Sequence, residues 1–523
     1  MKKLVSISCL CTILTVLTAQ AQSFDEMRQR YETFKQQAQQ EYEDFRKKAN
    51  EEYVQFIRDA WQRYEAQPAE PAPMKPKPPV IPTAKPVDNP QPRQLPVSEV
   101  ITPEAVPVAP PQPLEPIPQQ PSSPSLREVA FDFYGTPCTV RVNAGDAARL
   151  RGYDENDVAD MWQQLSDSGF DAAVADCLQL RSTMNLCDWA YLTLAGRFAE
   201  TYCGGKGNDA AVVQAYVLTQ SGYKVRMARA DDRLTVLMPS ENEIWSYSFI
   251  RRDDCRYYIL DRSLKGSAFY VCDIPFPGEK FSSLYMQSQP EFAVEPTARR
   301  EFKAERYPQI AVTADTNEHL LEFYNGYPLT NDWDMYAYAS LSDRLKGELY
   351  PVLRNAIADK SEAEAANMLL DFVQTAFEYK TDDEQFGYER PLFGDETFYY
   401  PYCDCEDRSI LFSILVRDLL DLDAALVSYP NHLATAVCFT DYVHGDYIVL
   451  NGRRYTVCDP TYIGADIGMT MPDMDNASAE VILLNRPCNM RTGAQENIPR
   501  SFQCPKREVS TSLCFFSLYP PKR

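Results

Sequence analysis

Twenty of the 39 prolines in this chain fall between Pro68 and Pro124, in a stretch almost without aromatic side chains. Proline fixes φ and removes a backbone donor, and a segment so poor in large apolar residues has nothing to fill a core. Residues 67–125 are therefore expected to be a disordered, extended, polyproline-like linker, able to reach roughly 180 Å at about 3.1 Å per residue. Whatever folds must lie on either side of it. At 523 residues the chain is too long for one core in any case.

On the N-terminal side, Lys2 and Lys3 precede an apolar run from Leu4 to Leu17, and Ala19-Gln20-Ala21 follows. This is the pattern of a cleaved secretory signal over residues 1–21. The run is shorter than the roughly 20 residues of a membrane span. No later stretch is long and apolar enough, so no transmembrane segment is expected. The mature protein is expected to be secreted, to the periplasm or cell surface. A net charge of −22 excludes nucleic acid, whose phosphates it would repel.

Residues 22–66 follow as an amphipathic helix with an eleven-residue repeat. Tyr31, Tyr42, Tyr53 and Tyr64 share one register; Phe34, Phe45 and Phe56, and Ala38, Ala49 and Ala60, share two others. Eleven residues over three turns keep an apolar stripe nearly straight. Through residues 23–64 the helix either self-associates or binds a partner helix, or else it packs on its own globular body.

Cys9 and Cys11 leave with the signal, so thirteen of the 15 cysteines remain. In an oxidising compartment an odd number leaves one thiol free while others pair. Three histidines, and a Cys403-Asp404-Cys405 spacing that is not C-x-x-C, give no zinc site. No metal or cofactor is expected.

Beyond residue 125 the chain repeats itself. Phe133-Tyr134-Gly135 recurs loosely as Phe323-Tyr324-Asn325-Gly326. The helix-like run from Ala210 to Leu218 matches Ser409 to Arg417, and at the same offset Lys206 falls on Cys405 and Arg233 on His432. Asp261 falls on Asp459 within one residue. Two domains follow, 126–290 and 291–523. Lys and Arg cannot make a thiolate–imidazole pair, so the first is expected to be silent.

The second copy carries the chemistry. Asp404-Cys405-Glu406-Asp407 suits a helix start, with Asp404 as N-cap and Asp407 answering it. Cys405 in the first turn would feel the positive helix end, which favours thiolate. His432 opens the alternating run Leu433, Thr435, Val437. Asp459 follows a hairpin made of Tyr447 to Leu450, an Asn451-Gly452 turn and Arg454 to Cys458. Cys405 as nucleophile, His432 as base and Asp459 as orienter form a candidate catalytic set. The loop from Lys380 to Pro401, absent from the first copy, offers Gln385, Tyr388 and Tyr400 as candidate substrate contacts. His319 and His444 lack such context and are expected at the surface.

These motifs, in this order, resemble the transglutaminase-like superfamily of papain-type cysteine enzymes, well over roughly Ala365 to Gly468 and weakly from Phe133 to Ser263. Many members have Ala-Trp after the histidine, where this chain has Leu433-Ala434. The resemblance implies an α+β fold, tandem transglutaminase-like (papain-like) domains with a helix packed on an antiparallel sheet. It also implies a cysteine protease- or amidase-like hydrolase or acyl transferase acting on peptide or protein. The alternative is a non-catalytic envelope scaffold, two such modules binding peptide or glycan on a long tether.

Overall fold

The computed structural model describes scattered positions of a helix from residue 30, then residues 44–484 apart from 73–82, 85–90, 104–110, 114–125 and a few loop positions. The expected signal, with Cys9 and Cys11, lies outside the described residues, as do Cys488, Cys504 and Cys514.

The N-terminal helix packs on its own body. Through residues 44–59 it buries Ala49, Tyr53, Val54 and Ile57 on one stripe. The buried Asn50 bonds Gln220 and accepts from the Trp162 indole at 3.1 Å, which fixes the helix register. Arg46–Asp171 and Arg58–Asp160 close its flanks. Phe34, Phe45 and Phe56 stay exposed. The helix stops earlier than its repeat suggests. Trp61–Gln67, expected to continue it, is a strand between Phe249–Arg252 and Ala268–Cys272. It closes a six-stranded barrel with Arg226–Ala230, Arg233–Ser240 and Cys255–Ile259. Two strands with free backbone edges outweigh a local helical period.

The proline-rich segment is likewise not a free tether where it is described. Leu95 donates to the Tyr447 carbonyl at 2.8 Å, and Tyr447 donates to Arg93 at 3.0 Å. Glu99–Ile101 then pairs parallel to Glu480–Leu484. Arg181 donates to the Pro111 carbonyl at 3.0 Å. Extended backbone makes no internal hydrogen bonds, so its carbonyls and remaining amides are available to a sheet edge. Residues 91–103 are a strap on the body rather than disordered linker.

The molecule is mixed α and β. After a hairpin of Leu126–Phe133 and Thr136–Asn143, helices Glu155–Asp167, Asp171–Thr183, Asp188–Cys203 and Asn208–Gln220 precede the barrel. Further on, Glu362–Thr375 and Cys405–Leu420 pack together over a six-stranded sheet. Its order is Tyr447–Leu450, Arg453–Cys458, His432–Cys438, Asp423–Tyr429, Glu480–Leu484 and the strap strand Glu99–Ile101. All neighbours are antiparallel except the strap. A shared aromatic core joins the halves through Tyr134, Phe292, Phe323 and Tyr327.

Three sequence expectations change. Phe133 and Phe323 are not equivalent: Tyr134-Gly135 forms a hairpin turn with both φ positive, whereas Phe323 lies within the last turn of the helix Glu318–Asn325. All ten described cysteines are free thiols, buried or half-buried as small apolar side chains. His319 is half-buried, its Nδ1 2.8 Å from the Ala293 carbonyl oxygen.

Candidate active site

Cys405 is the first residue of the helix Cys405–Leu420. Asp404 precedes it in extended conformation, and its amide donates to Asp407 Oδ2 at 3.1 Å. Asp407 Oδ1 accepts from the Leu392 amide at 2.9 Å, so one carboxylate caps the helix and ties down the incoming loop. Ile410, Leu411, Ile414 and Leu415 sink into the core. The buried Arg408 donates to the carbonyls of Gln374 and Phe377, and Ser409 Oγ donates to Leu433 O at 2.8 Å. That last bond fastens the cysteine helix to the strand that carries the histidine.

His432 opens the strand His432–Cys438 after a two-residue turn, Pro430-Asn431, that sets Tyr429 opposite it. The next strand, Arg453–Cys458, pairs Cys458 with Thr435 and delivers Asp459. Its hairpin turns through Asn451 and Gly452 at φ 52 and 77, as Asn-Gly suggests. Asp459 Oδ2 lies 2.9 Å from His432 Nε2. Asp459 Oδ1 accepts from the amides of Thr461 and Tyr462. Behind it, the buried Gln374 amide donates to the carbonyls of Asp459, Tyr462 and Ala465, while its oxygen accepts from Gly464. The Asp459 loop is held from within a neighbouring helix.

His432 is buried, which by itself lowers its proton affinity. The Asp459 charge and hydrogen bond, with a further contribution from Cys405, outweigh this and raise the imidazole to about 10. Cys405 lies close enough to act on the ring as a hydrogen-bond partner. The Asp459 charge thus favours the imidazolium form of the ring.

A second polar group meets the sulfur: Cys405 Sγ donates to Glu406 Oε2 at 3.2 Å. Asp382, Glu389, Asp404 and Asp407 are buried around it. Burial, then the charges of Glu406 and Asp407, push the Asp382 carboxyl far above the carboxylate range. Oxygens of Asp382, Glu389 and Glu406 lie within 4.8 Å of one another, a set that could also hold a cation.

All three side chains are enclosed: Cys405 is 1% exposed, His432 3% and Asp459 2%. A cavity of about 420 Å³ reaches His432 and Leu433, and its walls include Trp245, Asp332, Trp333, Asp334, Glu389, Tyr429, Glu480 and Ile101 of the strap. Cys405 is not in that wall. Nor are the three residues singled out in the insertion. Gln385 clamps the Tyr402 backbone through both its amide atoms, Tyr400 donates to Asn325, and Tyr388 is exposed. Trp245, Asp332 and Glu480 come from three distant segments, and no local pattern marks them. Gln374 sits on the apolar face of its helix, and a polar residue at such a position was the available signal.

The first half holds a counterpart. Asn208–Gln220 is followed by a two-residue turn that sets Ala230 opposite Arg233, as Tyr429 stands opposite His432. Asp261 Oδ2 lies 2.7 Å from Arg233 Nη2, and its Oδ1 accepts from the Ser263 amide at 2.9 Å. Lys206 is exposed ahead of the helix, paired with Glu200 at 3.7 Å. Comparisons with family models, with curated proteins and with solved structures find no match to this chain.

Proposed function

We propose that the protein is an exported cysteine hydrolase or acyl transferase of transglutaminase-like type, acting on peptide or amide bonds. The observation that carries this reading is the buried 2.9 Å contact between His432 and Asp459, beside a free cysteine at a helix start. In this reading His432 takes the Cys405 proton as the sulfur attacks a carbonyl carbon. The first free amides of the helix, including that of Cys405, stabilise the oxyanion. The leaving amine departs with the proton from His432, and water cleaves the thioester by the reverse sequence. Asp459 sets the ring tautomer and holds its charge. The tandem architecture, the silent first copy and the periplasmic or cell-surface location belong to the same proposal.

One observation favours the second reading, a non-catalytic envelope scaffold: the sulfur is almost fully enclosed and lies against Glu406. Alkylation separates them. Iodoacetamide near neutral pH, with adducts mapped by mass spectrometry, is expected to label Cys405 ahead of the nine other described thiols and to slow sharply in His432→Ala. A Cys405 no faster than its neighbours supports the scaffold.

A further inference from the structure

Phe34, Phe45 and Phe56 recur on the N-terminal helix every eleven residues, and they are 68%, 51% and 46% exposed. Eleven residues are close to three turns, so the rings form one row, roughly 33 Å from first to last at about 1.5 Å per residue. The row runs beside the stripe that Ala49, Tyr53 and Ile57 bury against the body. Towards the N-terminus the helix leaves that body, and every described position from Arg30 to Phe45 is exposed. Single apolar residues at a surface are ordinary, but an aligned row of rings marks a contact face. The charges beside it are ordered. At about 100° per residue, Arg30, Glu41, Lys48 and Asp59 fall on one flank of the row, and all four are exposed. Within its own helix Lys48 reaches Glu52 only at 3.9 Å. Let a second copy of the helix lie end for end about Phe45. Phe45 then meets Phe45, and Phe34 meets Phe56. To within one residue of register, Glu41 meets Lys48 and Arg30 meets Asp59, and two-fold symmetry makes each of these contacts twice. A parallel pair in register would instead set Glu41 on Glu41 and Lys48 on Lys48.

We infer that the protein forms an antiparallel dimer through this row, each helix covering the rings of a second copy. The docked half of one helix lies along the projecting half of the other, which sets the two bodies at opposite ends of the pair. Burial of the rings supplies the attraction; the exposed flanking charges add little strength and select the direction. The dimer does not depend on the cysteine chemistry.

Sedimentation velocity of the full mature chain between about 1 and 100 μM is expected to show a dimer that dissociates on dilution. Phe45→Ser, at the two-fold axis, should weaken it at least about tenfold. The ring is already half exposed, so circular dichroism and the urea midpoint should stay close to those of the parent. The charges test direction. Glu41→Lys and Lys48→Glu should each weaken the dimer by setting like charges across the interface, and the two changes together should restore it. A parallel pair would be indifferent to all three, because like still meets like. A monomer at every concentration, a dimer unmoved by Phe45→Ser, or a double exchange no tighter than either single change overturns the inference; the first of these leaves the row to an unlike partner.

Discussion

Arg233–Asp261 and His432–Asp459 are built alike. Each begins with a helix, then a two-residue hairpin turn whose second strand opens on the basic residue. In each the aspartate turns one oxygen to that residue and the other to a backbone amide two positions on. Burial separates them. The Arg233 and Asp261 side chains are 51% and 32% exposed, those of His432 and Asp459 1% and 2%. Water screens the first pair, which is then worth about 0–1 kcal/mol. In the second, the same geometry moves a proton affinity by enough to alter chemistry. Local backbone pattern makes the pair; the surrounding helices decide what it does.

The sharpest way to break this contrast is to remove each aspartate. Asp459→Asn removes the charge that chiefly raises the buried imidazole, and loss of one partner of a buried pair costs about 3–5 kcal/mol. A urea titration should show that loss, and Cys405 alkylation should fall with it. Asp261→Asn should stay within about 1 kcal/mol of the parent. Similar losses at both sites would mean that burial is not what separates them.

The pair also predicts a pH dependence of opposite visibility. His432 binds its proton more tightly folded than unfolded, so its contribution is complete below the unfolded value near 6.5 and is lost as pH rises through about 10. Between those limits the urea midpoint of the parent should fall more steeply than that of Asp459→Asn. Thiols and tyrosines that burial raises, such as Cys177 and Tyr191, bind their protons more tightly folded and add to the same fall, so the informative quantity is the difference between the two curves. Parallel curves would remove the raised imidazole from the account. Asp261→Asn should run parallel to the parent.

A smaller effect is expected at Gln374. Its amide satisfies the Asp459 loop, and nothing in the first half's exposed Asp261 turn requires such a clamp. Gln374→Leu keeps the volume and strands those carbonyls, at about 1–3 kcal/mol. Because Asp459 would lose its fixed position, the alkylation rate should fall by more than the stability loss accounts for. Retention of the full rate would make Gln374 structural only.

Much of this site was legible from local pattern. A cap residue before Cys405, alternation after His432 and an Asn-Gly turn before Asp459 each have short-range causes, and each formed as expected. What could not be read depends on distant partners. The carboxylates around Glu406 come from segments whose proximity only folding sets. The strand Trp61–Gln67 and the strap Glu99–Ile101 are decided by open sheet edges elsewhere in the chain. Repetition of Phe-Tyr-Gly misled because hairpin turns and helix ends both favour Gly. The cavity's tryptophans and acids carry no spacing at all.

The smallest effect sharpens the comparison at its edge. The second half is distinguished by the strap, which lays Ile101 in the cavity wall and is tied down by Arg93 against Asp446, with Nε to Oδ1 at 3.1 Å. Arg93 is largely exposed, so the pair is expected to contribute no more than about 1 kcal/mol, and Arg93→Ala should barely move the urea midpoint. Its consequence is local. Strap residues add only a parallel edge strand and a few backbone bonds, so weakening one anchor should raise amide exchange at residues 95–101 while residues 432–438 stay protected. If exchange rises instead across the histidine strand, the strap is part of what encloses His432 and Asp459, and the burial that separates the two pairs reaches back to a segment whose composition suggested only a spacer.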